Sequence, residues 1–471
     1  MSQVYPLIIA NRYESRQDTM TVFHKYTGEP FAQMSAASVE DVDTAVVQAK
    51  HALEHTYFDV QTRYQVLMKA ADLLKERREE LAAILTAEAG KTVQDAHNEV
   101  DWSVDLFVES AEEAKRLNGE TFCMPVPWLD TRTCYTRREP VGVVVAITPF
   151  NFPLNLVAHK VAPALAAGNP VILKPAAATS VIGWKLCEIL IDAGLPAGFI
   201  SCLTGSGSVL GPALAAHPGV SFYSFTGSVD VGQQLKAQIG LRKCAMELGS
   251  NSATIVCDDF ELDQAVNACA DAAFCNAGQV CIHLQRIFVA RSIFEPFVAG
   301  LTKAAQEKVV GDPSDPATEI GPMIAQREAA RVEEWVAQAV ADGAVVHCGN
   351  RREGALFWPT VLTQVTGEMR VMKDEIFGPV VCVVPFDTME EAYAMVNDSR
   401  YGLNGGILTH SLPVAMQAIQ SIHCGSVIVG GTCGFRFGCM PYGGVKESGF
   451  GKEGPHYAVE EMTEQKTVVI L

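Results

Sequence analysis

Between Gln61 and Gly90 the apolar positions fall at helical spacing. Leu67, Ala70, Leu74, Leu81 and Leu85 sit at steps of three and four residues or their multiples, and the run Lys75 to Glu80 supplies a wet face. The pattern predicts a helix that Gly90 stops. After Pro140 the texture changes. Val141 to Ile147 is an unbroken apolar run, as a strand buried on both faces requires. A helix follows from about Leu154 to Ala167, ending at Gly168, then a strand over Pro170 to Lys174 and a helix over Thr179 to Ala193. Phe199 to Leu203 is the next strand, with a helix from about Ser208. Val220 to Phe225 is the next, with a helix from Ser228. Such alternation predicts an α/β fold with a doubly wound parallel sheet, whose ligands bind beyond the carboxyl ends of the strands.

A second alternation begins near Ser252, with a strand over Ala253 to Cys257, a helix over Leu262 to Asn276 and a strand over Gln285 to Ala290, and predicts a second α/β domain. Two segments fit neither sheet. Pro127 to Pro140 carries the β-favouring Thr131, Thr133, Tyr135 and Thr136, which could form a ribbon. The last five residues, Thr467 to Leu471, are a short apolar strand. Left unpaired it is an aggregation liability, which pairing with another subunit would remove.

The chain has 471 residues, which fits two large domains, since single cores stop growing near roughly 250–300 residues. A net charge of −18, from 54 acidic and 36 basic residues with no basic stripe, argues against nucleic acid as a partner. The 14 cysteines are scattered, with no C-x-x-C pair and no metal-site spacing. Reduced thiols in the cytoplasm are therefore expected. No run nears the roughly 20 apolar residues that span a bilayer, and the N-terminus lacks signal-peptide character, so neither membrane nor export is expected.

Candidate chemistry clusters at the predicted strand ends. Cys281 follows a Gly278-Gln279 turn between a helix and a strand. A cysteine by itself reads as a small core residue, but at such a junction a thiol can face a cleft and be activated. Glu247, before Leu248 and Gly249, reads either as a solvated strand-end charge or as a general base, with Gly249 allowing close backbone approach. Asn151 in Phe150-Asn151-Phe152-Pro153 suits a turn, or an amide donor to an oxyanion together with the backbone N–H of Cys281. Two glycine-bearing loops are phosphate candidates. Gly205 to Gly211, containing Gly207, has its last gap one residue longer than G-x-G-x-x-G, whereas Phe225-Thr226-Gly227-Ser228 opens a helix whose N–H groups could hold a pyrophosphate.

Together and in this order these segments resemble the aldehyde dehydrogenase superfamily. The P-F-N-F-P segment, the F-T-G-S loop, E-L-G, G-Q-x-C, Glu375-Ile376-Phe377-Gly378-Pro379 and Pro441-Tyr442-Gly443-Gly444 all occur in the family's order, and the resemblance spans essentially the whole chain. It implies an NAD(P)-dependent enzyme that oxidises an aldehyde to a carboxylate. Cys281 would be the nucleophile, Glu247 the base that activates water, and Asn151 the oxyanion donor. Lys174 would reach the adenosine ribose, Ser228 the pyrophosphate, and Glu375 and Phe377 the nicotinamide ribose and ring. Ile147, Thr148, Pro149, Ala177, Gly207, Gly211, Phe225, Thr226, Gly227 and Gly249 would line the rest of the cofactor groove. No metal is implied. The resemblance also implies a Rossmann-like cofactor domain over 1–121 and 141–249, a catalytic domain over 250–440, and an intersubunit ribbon over 122–140 and 458–471 that makes a homodimer or homotetramer. A glutamate common in NAD-preferring members three residues after the Lys174 position is Ala177 here, which leaves NAD and NADP both open.

The pattern lies nearest to lactaldehyde-, phosphonoacetaldehyde- and sulfolactaldehyde-type members. Asn155 and His159 share a helical face next to Asn151, and Arg436 lies in the segment resembling the one that closes over substrate. His159 is either a packed helix residue or a pocket residue, and Arg436 either a surface charge or an anion clamp. The expected substrate is a small anionic or hydroxylated aldehyde. Alternatives are a neutral aldehyde, a coenzyme A-acylating enzyme in which a thiol resolves the thioester, or a silent family member. Retention of Cys281, Glu247, Asn151, Lys174 and Glu375 argues against the last.

Overall fold

A computed structural model describes residues 4–124, 127–129 and 132–470; Thr131 of the expected ribbon and the terminal Leu471 lie outside them. The first alternation builds an eight-stranded sheet. Its five central strands run parallel in the order Lys243–Glu247, Phe222–Thr226, Val144–Ile147, Val171–Lys174 and Ile200–Cys202. Leu7–Ile9 and Arg12–Glu14 extend one side antiparallel, and Gly449–Phe450 closes the other. Val144–Ile147 lies where the order reverses, because the chain winds one way to Val171 and the other way to Phe222. The loop after Ile147 therefore opens into the crevice such sheets offer to ligands. Along that strand Val144 and Ala146 pack into one core and Val145 into another, each 0% exposed, which accounts for the continuous apolar run.

The strand starts three residues later than its hydrophobicity suggests. Gly142 has φ +125°, and its N–H donates to the buried Asn169 side chain (3.0 Å) instead of to a neighbouring strand. The helix predicted over Gln61–Gly90 is two helices, Val60–Glu76 and Arg78–Ala89, broken at Arg77; Gly90 stops the second in the left-handed conformation at φ +74°. The periodicity survives the break, which is why the sequence hides it.

The second sheet has seven strands, in the order Val345–Cys348, Thr360–Thr363, Val380–Phe386, Arg286–Ala290, Ala253–Val256, Asn404–Leu408 and Ser426–Val429. All neighbours are parallel except the first pair. Only two of its strands were legible from the pattern.

The terminal strand departs from expectation. It runs over Thr463–Ile470 and is paired within the chain, antiparallel to Thr133–Pro140, from Thr463↔Pro140 to Ile470↔Thr133. A strand of the same chain thus satisfies one edge, while Val469 and Ile470 remain exposed. Among the described residues no helix is long and apolar enough to cross a membrane.

Candidate active site

The loop that carries Asn151 is fixed from below. The N–H groups of Leu154 and Asn155, at the start of helix Asn155–Ala166, donate to one oxygen of Glu99 (2.8 and 3.0 Å). Glu99 is itself paired with Lys91 at 3.1 Å, both side chains fully buried, and the Lys91 ammonium lies 3.7 Å from the ring centre of Phe152. Asn151 is buried, and its amide donates to the Gln279 carbonyl (3.0 Å). Its second amide hydrogen stays available to an oxyanion.

Helix Leu262–Phe274 ends in a turn that few sequences tolerate. Asn276, Ala277 and Gly278 are consecutively left-handed, at φ +50°, +53° and +71°. A Cβ on Gly278 would overlap the Gly378 carbonyl, so glycine is required there. The two non-glycine residues cost strain of about 1–3 kcal/mol each. The Asn276 side chain offsets some of it by donating to the carbonyls of Asn151 and Gln279 (3.2 Å each), and the Gln279 side-chain oxygen accepts from the Ile324 N–H (2.9 Å). This turn brings Cys281 and Asn151 to one place. Cys281 is half-buried, and burial pushes its thiol up to about 11, against a hydrogen bond with the Tyr442 hydroxyl at 2.8 Å that pulls it down.

Glu247 ends strand Lys243–Glu247. It is buried, not solvated, and neither carboxylate oxygen has a hydrogen-bond partner among the described residues. Burial, and then the charge of Glu453, hold its carboxyl well above the ordinary range. An added Cβ on Gly443 would come 2.8 Å from that carboxylate and closer still to the Gly451 carbonyl, so glycine there keeps the space beside it open.

Behind these groups lies a cluster absent from the sequence reading. Glu453 is buried and accepts from Lys160 (2.8 Å) through one oxygen and from Arg436 (2.9 Å) through the other. Burial alone would raise its carboxyl, but Lys160 and Arg436 hold it well below the usual range. The same Arg436 nitrogen lies 3.0 Å from Nε2 of His159; arginine can only donate, so His159 accepts there and stays neutral. Burial, followed by the Arg436 charge, pushes His159 down to about 3. Arg436 is thus neither a surface charge nor bare in a pocket. Asn155 and His159 also diverge despite sharing a face, Asn155 reaching Ser103 at 3.4 Å. A lysine in the apolar run before Val161 was a readable sign of Lys160. Glu453, in Gly451-Lys452-Glu453-Gly454, offered none.

The cofactor candidates fall at strand ends, helix starts and loops, and only some of them face outward. Lys174 ends its strand almost fully buried, its ammonium acidified chiefly by that burial and 3.9 Å from where a Cβ on Gly207 would lie. Ala177 opens the short turn that follows, three residues on. Ile147, Thr148 and Pro149 lead out of the reversal strand, and the buried Thr148 hydroxyl has no partner among the described residues. Ser228 caps helix Val229–Ile239, accepting from the Val231 N–H (3.4 Å). Phe225 instead packs in the core, and the Thr226 hydroxyl turns inward to Glu453 (3.5 Å), which leaves Gly227 and Ser228 to face outward. Gly211 lies inside helix Gly207–Ala216 with open space where a Cβ would go, so nothing there requires glycine. A Cβ on Gly249 would displace the Glu375 carboxylate from its present place, where it accepts from the Ser250 N–H (3.0 Å). Burial raises Glu375 to about 7. Phe377 is left-handed at φ +46°, its ring edge-on to Phe150 at 5.8 Å. A buried cation at a strand end, a capped helix start and a buried carboxylate beside a glycine are groups whose chemistry fits the ribose hydroxyls and pyrophosphate of a dinucleotide.

The model of the aldehyde dehydrogenase family matches residues 13–468. A 3-sulfolactaldehyde dehydrogenase of Priestia megaterium is 47% identical over 469 residues, 99% of this chain and 98% of that protein. Among solved structures, aldehyde dehydrogenase 21 of Physcomitrella patens, in complex with the reaction product succinate, is 36% identical with a TM-score of 0.97, covering 100% of this chain and 98% of that one. The glyceraldehyde-3-phosphate dehydrogenase of Methanocaldococcus jannaschii, complexed with NADP, is 37% identical with a TM-score of 0.93, covering 97% and 99%.

The buried cluster carries a stability prediction. Glu453→Gln leaves Lys160 and Arg436 without their shared counter-charge, and loss of one partner of a buried ion pair costs about 3–5 kcal/mol. Chemical denaturation of the purified variant should show a loss of that size; a loss below about 1 kcal/mol would mean that the two cations find other partners.

Proposed function

The chain belongs to the aldehyde dehydrogenase family, and on that premise we propose that it oxidises a small anionic or hydroxylated aldehyde to the carboxylate with NAD or NADP, using Cys281, Glu247 and Asn151. The observation that carries this reading is the meeting of three groups. They are a half-buried thiol, an amide pinned to the carbonyl two residues before that thiol, and a buried carboxylate with neither oxygen partnered.

The Cys281 thiol releases its proton to solvent, and the sulfur bonds to the aldehyde carbon. The carbonyl oxygen becomes an alkoxide, which Asn151 and the backbone N–H of Cys281 stabilise. The chemistry a bound nicotinamide would supply is an acceptor for the hydride on that carbon. A thioester remains on Cys281. Glu247 in its carboxylate form, with neither oxygen partnered and a carboxyl that burial makes strongly basic, takes a proton from water as the water oxygen attacks the thioester carbon. The carbon–sulfur bond breaks, and the acid leaves. Lys174 and Ser228 would hold the adenosine ribose and the pyrophosphate, with Glu375 and Phe377 at the nicotinamide end.

Arg436 would read the acidic or hydroxyl group of the substrate. Only one of its nitrogens is engaged by Glu453 and His159, and among the described residues no partner meets the other two. The 3-sulfolactaldehyde relative and the succinate-bound neighbour carry negative groups in their own substrate or product. For the cofactor, Ala177 puts no carboxylate near a ribose 2′-phosphate, so we propose that NADP is accepted. We divide the chain into a cofactor domain (1–121 and 141–249), a catalytic domain (250–440) and a ribbon (122–140 and 458–471). The exposed Val469 and Ile470 on a two-stranded ribbon, marginal by itself, support a homodimer or homotetramer. Fourteen unbridged thiols support a cytoplasmic location.

Cys281→Ala should abolish aldehyde-dependent NAD(P)H formation with cofactor binding intact, and Glu247→Gln should slow turnover by about 10²–10⁴-fold. Mass spectrometry of the second variant should find an acyl group on Cys281; an unchanged rate excludes Glu247 as the base. Ala177→Glu should move cofactor preference from NADP toward NAD, read as the ratio of kcat/KM for the two. Rejection of NADP by the wild type would point to a different discriminating group. For substrate, an aldehyde with an acidic group two or three atoms from the carbonyl should exceed a neutral one of equal size in kcat/KM, and Arg436→Ala should erase that margin. Equal loss of both substrates would remove Arg436 from substrate recognition.

A further inference from the structure

We propose that the Tyr442 hydroxyl is a catalytic hydrogen-bond donor to the sulfur of Cys281, stabilising the thiolate both when it attacks and when it leaves. The proposal rests on the reading of Cys281 as the nucleophile. Four observations carry it. The hydroxyl and the sulfur are 2.8 Å apart. Tyr442 is 2% exposed, packed with Ile282 and Leu403 against Cys281, so water does not compete for the contact. Its backbone is clamped to Glu453 in both directions, Tyr442 N–H to the Glu453 carbonyl at 3.0 Å and Glu453 N–H to the Tyr442 carbonyl at 2.7 Å, so the phenol is aimed rather than mobile. The Arg436 guanidinium lies 3.8 Å from the ring centre, and a cation on the ring face polarises the O–H toward its acceptor.

In the resting pair either group can donate. Once the thiol proton has gone, only the phenol can, and its O–H then points at a full negative charge, where hydrogen bonds are strongest. Burial holds the Tyr442 phenol well above its ordinary range, so the phenol keeps its proton. Glu247 and Glu453 oppose the thiolate, while Arg436 and the Tyr442 hydroxyl favour it. Lys160, Lys452 and His159 surround the two carboxylates. The Tyr442 proton is not transferred. It stays on oxygen through carbon–sulfur bond formation, through the thioester, and through the bond cleavage that returns charge to sulfur.

The test is alkylation of Cys281 by iodoacetamide in the full-length protein, quantified on the Cys281 peptide by mass spectrometry as a function of pH. Tyr442→Phe keeps the ring beneath Arg436 and deletes only the hydroxyl. The alkylation midpoint should rise by about one unit or more, with kcat/KM at neutral pH falling about tenfold. A midpoint that is unchanged or lower overturns the proposal. Replacement of Tyr442 by 3-fluorotyrosine, a stronger donor of nearly the same size, should move the midpoint down, and no movement or a rise likewise overturns it. Alkylation reports the ionisation of Cys281 whether or not that residue is the nucleophile. A failed nucleophile assignment would therefore appear in Cys281→Ala turnover and not in these midpoints.

Discussion

A carboxylate sealed in the protein interior must be paired with cations, or its charge is too costly to keep there. Glu453 is neutralised twice, by Lys160 through one oxygen and by Arg436 through the other. Much of the site hangs on that arrangement. Lys160 comes from the helix that begins after Asn151, Arg436 from the loop before Tyr442, and Glu453 from the segment beside Gly449–Phe450, the edge strand of the first sheet. Three distant stretches of chain are thereby held around one carboxylate. Burial, and then the negative charge that Glu453 keeps, raise the Glu247 carboxyl, and Arg436, held by Glu453, lies over Tyr442.

The second constraint is backbone strain. Asn276, Ala277 and Phe377 adopt left-handed conformations that side chains disfavour, and Gly278 lies between them against Gly378. Functional loops store strain only where their surroundings over-determine them. Here the surroundings are hydrogen bonds among Asn151, Asn276 and Gln279, which tie a loop of the first sheet to the turn before Cys281. The site is a seam between two sheets, and the bonds that cross the seam set the position of sulfur relative to amide. Glu99 and Lys91 give the Asn151 loop a rigid floor, fixing the helix start on which the loop ends.

The crevice above the first sheet follows from winding. A strand order that reverses at Val144–Ile147 leaves neighbouring connections on opposite faces, so the loops after Ile147 and Thr226 diverge and open a groove. Lys174 ends one strand of that sheet, Ser228 caps the helix after another, and the lack of a side chain at Gly249 leaves room for the Glu375 carboxylate. The glycine-rich stretch from Gly205 to Gly211 is ordinary by comparison: Gly205 takes φ +153°, whereas Gly211 sits in a regular helix.

By itself the sequence determined the central alternation of the first sheet, since strands such as Val144–Ile147 and Val171–Lys174 are buried and show as apolar runs, and the helices between strands there run out just before Gly168 and Gly194. It also carried the order of the motifs around Asn151, Glu247, Cys281 and Glu375, because those residues are local to strand ends and turns. It concealed most of the second sheet: between Val345 and Val429 strands such as Thr360–Thr363 and Asn404–Leu408 are short and broken by threonine, asparagine or glycine, even where helices Met389–Asn397 and Leu412–Ser421 alternate with them. Only the tertiary structure decided that the terminal strand pairs with Thr133–Pro140, that Glu247 is buried, that His159 is capped by Arg436, and that Tyr442 touches Cys281. Each of these joins residues far apart in the chain. Hydrophobic period reports which face of an element is buried, whereas the partner of a buried charge or hydroxyl is fixed by how the elements pack.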